Sequence, residues 1–127
     1  MDNRLQYLAK LVMLLSVLGA AIFPACSFDK QRELRAKEAA LRRDLYEMRT
    51  AIDKYTLDKD RAPQLLQDLV TAGYLKKIPE DPMTKSATTW QVEMETELQI
   101  ASTTRGIANV RSGAKETGTG GIPYDQY

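Results

Sequence analysis

An α+β fold, in which a long N-terminal helix packs on a short helix and a small antiparallel β-sheet, is predicted by three features of this chain. One apolar stripe runs through residues 28–60 at helical spacing. Prolines and glycines then break regular structure twice, and alternation of apolar with polar residues follows around Trp90 and again from Gly106. The 127 residues correspond to one small domain: removing an apolar leader leaves roughly 100, enough for a modest core.

The leader comes first. Arg4 and Lys10 precede Leu11 to Ala25, LVMLLSVLGAAIFPA, whose lone polar member is Ser16. The run is shorter than the roughly 20 residues of a spanning helix and suits the apolar region of a signal peptide; extension back through Leu5, Tyr7 and Leu8 makes a marginal span. Positive charge ahead of it keeps the N-terminus in the cytoplasm and sends the rest across. Residues 1–26 are therefore expected to be a hydrophobic membrane anchor or signal segment built on Leu11, Leu14, Leu15, Leu18, Ile22 and Phe23, with residues 27–127 an extracytoplasmic domain. Cys26 follows directly, after the small Ala25 that a lipoprotein signal requires, although Phe23 and Pro24 stand where such a signal carries a leucine-like and a small residue. An acylated Cys26 and an inert thiol at the membrane edge both fit this position.

A long helix is expected over about 28–59. Leu34, Leu41, Leu45, Met48, Ile52 and Tyr55 form its apolar stripe, of which Leu41 to Tyr55 is the part expected to pack on the C-terminal half. Glu33 with Lys37, Glu38 with Arg42, Arg43 with Glu47 and Arg49 with Asp53 are opposite charges four apart, each pair worth roughly 0.2–0.5 kcal/mol on an exposed helix. They predict a solvated polar side. A free-standing coiled coil is the competing use of such a seam, but it would need three or four heptads, and this seam stops at the breakers around Pro63.

Asp58 to Pro63 forms a polar break, with Ala62 pushed out of helical geometry by the following proline. A short helix is expected over about 64–72, with Leu65, Leu66, Leu69 and Val70 on one side and Gly73 as a left-handed cap. Pro79 and Pro82, with Asp81 between them, predict a fixed turn. The sheet is expected within about 89–112: Trp90, Val92 and Met94 alternate with Gln91, Glu93 and Glu95 as a half-buried strand, and residues 106–112 supply its antiparallel partner. The glycine-rich end, 113–127, is expected to be a surface loop tacked down by Tyr124 and Tyr127.

Composition excludes more than it assigns. There is no histidine and Cys26 is the one cysteine, so the commonest general base, the commonest metal ligand and an intrachain disulfide are missing. No G-x-S-x-G, phosphate loop or pair of acids in an apolar setting is present, and the chain is expected not to be an enzyme or to take a small-molecule substrate. Net charge is +1 with interleaved signs, which leaves no footprint for nucleic acid.

Read in order, the residues that now stand together are Asp44-Leu45-Tyr46, Ile52-Asp53-Lys54-Tyr55, Ala62-Pro63-Gln64, Leu66-Gln67-Asp68-Leu69-Val70, Gly73-Tyr74-Leu75, Ile78-Pro79 with Asp81-Pro82-Met83-Thr84, Trp90, Gly106-Ile107, Val110 with Ser112-Gly113, and Pro123-Tyr124. In this order and spacing they resemble the type IV pilin superfamily, in particular the major pseudopilin, or G protein, of type II secretion systems. The resemblance implies a pilin-like fold and a structural subunit of a short periplasmic fibre that acts in protein secretion. It also implies an inner-membrane anchor with the C-terminal domain periplasmic, and as partners the inner membrane, further copies of the chain and other secretion-system components. In that setting Leu11 to Phe23 would supply the fibre core, and charges around Arg35, Arg42, Arg43, Glu47 and Asp53 would set register between subunits. The chain departs from the family at its start, where the cleavage-site glycine and the glutamate of the hydrophobic helix are missing between Met1 and Leu15. This departure, with Cys26, supports the rival expectation of a membrane-tethered, pseudopilin-like lipoprotein that binds or scaffolds in the envelope without polymerising. The resemblance also implies calcium in the loop after the sheet, but Ala114-Lys115 and Gly120-Gly121 stand where relatives tend to have acidic residues, leaving Glu116 and Asp125. Calcium takes six to eight oxygens, so no cofactor is expected.

Overall fold

In the computed structural model the described residues are 3, 4, 6–8, 10, 25–96 and 105–127. They form, in order, helix α1 (Ala25–Lys59), helix α2 (Leu66–Thr71), strand β1 (Gln91–Met94), strand β2 (Ile107–Arg111) and a 3-10 turn at Tyr124–Gln126. The chain divides into two units, Met1–Glu33 and Leu34–Tyr127, with α1 contributing to each. In the first, Tyr7, Leu8 and Phe28 are exposed. The expected anchor residues Leu11, Leu14, Leu15, Leu18, Ile22 and Phe23 lie outside the described residues, and among those described no helix is long and apolar enough to cross a membrane.

The second unit is organised by the stripe on α1. Leu41, Leu45, Met48, Ile52 and Tyr55 are all buried, and Leu69, Leu75, Trp90, Ile107, Val110, Ala114 and Tyr124 close around them. Fully covering a leucine or isoleucine contributes about 1.5–3 kcal/mol, so this row is the main source of stability. Leu34, the first member of the predicted stripe, is half-buried, and no residue from 28 to 37 is buried. The helix ends where Lys59 gives way to Asp60 in the left-handed region, φ 53°, as a polar residue with a short side chain allows.

Helix α2 starts two residues later than predicted. The Asp68 carboxylate accepts from the backbone N–H groups of Gln64 and Leu65, both at 2.9 Å, which satisfies donors that an earlier start would have left open. Leu65 therefore sits outside the helix in an extended conformation and is 64 % exposed, not on the packed side as its position in an apolar run suggested. The other end matches expectation: Gly73 has φ 82°, Tyr74 N donates to Leu69 O at 2.8 Å, and Gly73 N donates to Val70 O at 3.1 Å. This is the paired closure typical of a glycine-capped helix.

The strands pair antiparallel as expected, Gln91 opposite Arg111, Val92 opposite Val110, Glu93 opposite Asn109 and Met94 opposite Ile107, with a bulge between Glu93 and Met94. The expected half-burial of β1 is not found: all four of its residues are exposed, Val92 and Met94 among them. The reason is the layering. Strand β2 lies against the helical layer, with Ile107 N donating to Pro63 O and Arg49 donating to Val110 O, and Ile107 and Val110 take the core positions. Strand β1 is one strand further out, about 4.8 Å, and Trp90, which is buried, precedes it.

Candidate functional site

Two side-chain constructions set the surface of the second unit, and each hangs on a buried carboxylate. The first is the predicted Pro79–Asp81–Pro82 turn. Asp81 is fully buried; its carboxylate accepts from Ser112 Oγ at 2.6 Å, Gly113 N at 3.1 Å and Met83 N at 2.8 Å. Its backbone pairs with Ser86 and Lys85. Trp90 reaches back to the same turn, its Nε1–H donating to Pro79 O at 2.8 Å. Gly113 passes so close that an added Cβ would lie 2.1 Å from Thr89 O, so a side chain there would break the seam between the turn and the end of β2. Pro79, Asp81 and Trp90 are thus brought together as one clamp, with the half-buried Pro82 following Asp81 in the turn.

The second construction was not expected. Glu38, read from the sequence as half of an exposed ion pair, is 2 % exposed. Its carboxylate accepts from Thr119 N at 2.6 Å, from the Thr119 hydroxyl, and from the Tyr124 hydroxyl at 3.0 Å. Burial acts to raise its pKa, but the two Thr119 hydrogen bonds, the Tyr124 hydroxyl and the charge of Arg42 together hold it below the ordinary carboxylate value. Tyr124 responds in the opposite sense: burial first, then its bond to Glu38, pushes its phenol up to about 12. Arg42 lies over the Tyr127 ring, 5.7 Å from the centroid, in cation–π geometry. Arg49 donates to Val110 O, at 2.9 Å from Nη2, and to the main-chain oxygen of Tyr127. The expected partition into apolar and solvated faces therefore fails along one flank of α1. Glu38, Arg42 and Arg49, spaced four and seven apart beside Leu45 and Ile52, form a polar row that meets the C-terminal segment, with Glu38 buried, Arg49 half-buried and Arg42 exposed. Arg43, expected to pair with Glu47, instead meets Asp44 at 3.0 Å.

Among the described residues no three or more His, Cys, Asp or Glu side chains are grouped to hold a metal. Of the two acids left in the C-terminal segment, Glu116 is exposed, while Asp125 Oδ1 is buried without a hydrogen-bond partner. One such oxygen falls far short of a calcium shell. A groove of about 480 Å³ lies between α1 and β2, but its one hydroxyl, on Thr56, donates to Ile52 O. A second groove, about 440 Å³, brings Lys76 and Lys77 beside Glu47 and Glu80. Cys26 falls in the first turn of α1.

Comparison with known proteins finds no matching family profile, no matching curated protein and no matching solved structure.

Proposed function

We propose that the chain is a structural, non-enzymatic subunit of a type II secretion, pseudopilin-like fibre, anchored in the inner membrane by residues 1–26 with the remainder periplasmic, and that it acts in protein secretion by self-assembly. The observation that carries this reading is the division of labour along α1. From Glu38 onward its inner side is covered by a small sheet, a short helix and a C-terminal segment, while no residue from 28 to 37 is buried and Tyr46 and Leu57 are exposed. A helix left bare on one part and capped on another suits a subunit whose leader and helix meet copies of themselves. Such contacts, repeated without closing into a ring, make a filament. Apolar leaders that pack in the membrane can repack on one another in a fibre core.

The rival reading, a membrane-tethered lipoprotein that binds or scaffolds without polymerising, is favoured by Cys26 after Ala25 and by the missing cleavage-site glycine. Mass spectrometry of the mature N-terminus separates the two. Cleavage ahead of Leu11 with a methylated new terminus is the result expected for a pilin-type subunit, together with a ladder of oligomers when cysteines placed along residues 11–23 are cross-linked in cells. An acylated Cys26 would remove those residues from the mature protein and end the fibre reading.

A further inference from the structure

We propose that the C-terminal segment 113–127 is a strap closed onto α1 by protein side chains alone, with the Glu38 carboxylate at its centre, so that its ordering needs no bound cation. A buried carboxylate must be matched by donors or a metal, and every donor that matches Glu38 comes from the strap: Thr119 through N–H and hydroxyl, and Tyr124 through its phenol. Several of the strap's main-chain oxygens, of the kind a hard cation would draw on, are engaged within the protein. Glu116 O accepts from Tyr124 N, Gly118 O from Gly121 N, Ile122 O from Gly118 N and Pro123 O from Gln126 N, and the Arg49 guanidinium takes Tyr127 O. The positive charge at this closure is supplied by Arg42 over Tyr127 and by Arg49. The one buried side-chain oxygen of the strap without a hydrogen-bond partner, Asp125 Oδ1, lacks the further carboxylates that a calcium shell requires.

This inference does not rest on the fibre reading, and assembly enters none of its measurements. Hydrogen exchange followed by mass spectrometry on the full-length chain, in EDTA and in about 1 mM calcium, where weak protein sites fill, gives the test. The expected result is one exchange rate for peptides from 113–127 in both buffers. In E38Q and T119V those peptides exchange about tenfold faster or more, while peptides from 66–94 keep the wild-type rate. Should E38Q accelerate exchange everywhere, T119V and Y124F decide, because each removes one donor and leaves the carboxylate. Slower exchange of 113–127 in calcium than in EDTA would overturn the proposal, as would wild-type rates in that segment for all three variants.

Discussion

Glu38 and Asp81 are the residues on which the unit turns, since each is a buried carboxylate whose partners lie far off in sequence. Replacing Glu38 by alanine leaves the buried Tyr124 hydroxyl without its acceptor and releases the exposed Thr119, and a buried donor so orphaned costs about 1–3 kcal/mol. E38A is therefore expected to lower the melting temperature by roughly 5–15 °C in a domain of this size, measured by circular dichroism. The pair also contributes to the pH dependence of stability. The Glu38 pKa is lowered on folding from its ordinary 4.5, so its contribution is complete above that value and is lost as pH falls through the folded pKa. That of Tyr124 is raised from 10 to about 12, so its contribution is complete below pH 10 and is lost as pH rises towards 12. Thermal melts across pH should show Y124F flattening the alkaline limb and E38Q the acid limb. Asp81, with Ser112, Gly113 and Met83 donating to it, is expected to be at least as sensitive. D81A should cost about 2–4 kcal/mol in urea denaturation, on the ground that buried networks fail when one member is deleted.

At the scale of elements, α1 carries two sides of unlike consequence. Leu45 is 2 % exposed and Leu57 79 %; L45A is expected to lose about 2–5 kcal/mol of stability by urea denaturation, and L57A to stay within about 0.5 kcal/mol of wild type. Equal losses would mean that the stripe is not the core. That stripe could be read from the sequence because Leu41, Leu45, Met48, Ile52 and Tyr55 repeat with the helical period, a local signal. The caps at Gly73 and the Pro79–Asp81–Pro82 turn were readable for the same reason: each depends on backbone preferences of residues within a few positions. Glu38 and Arg49 were misjudged because their partners, Thr119 and Val110, lie 81 and 61 positions away. A carboxylate and a guanidinium four residues from opposite charges look alike whether water or a strap covers them. The burial of β1 was misjudged for a related reason: alternation at Val92 and Met94 distinguishes the two faces of a strand but does not reveal whether a layer lies over either one.

For the whole molecule the question is which surface is left for partners once folding has used its share. Of the charges expected to set register between copies, Arg42 lies over Tyr127 and Arg43 meets Asp44, both remaining exposed. Arg35, Glu47 and Asp53 are exposed; the exposed Tyr46 lies between Arg35 and Glu47 along the helix, and the exposed Leu57 one turn beyond Asp53. Residues 46 and 57 are eleven apart, three turns of a helix of period 3.6, and so share a line on the side away from Leu41, Leu45 and Ile52. Truncating such exposed apolar side chains costs the isolated fold little. A combined Y46A and L57A variant, with or without E47K, is therefore expected to keep the wild-type melting temperature within about 2 °C. If the chain polymerises through this helix, the same variant should lose most of the oligomer ladder that cysteines along residues 11–23 give on cross-linking in cells. An unchanged ladder would move the contact between copies off this line of α1. A lowered melting temperature would mean instead that Tyr46 and Leu57 serve the fold of a single copy.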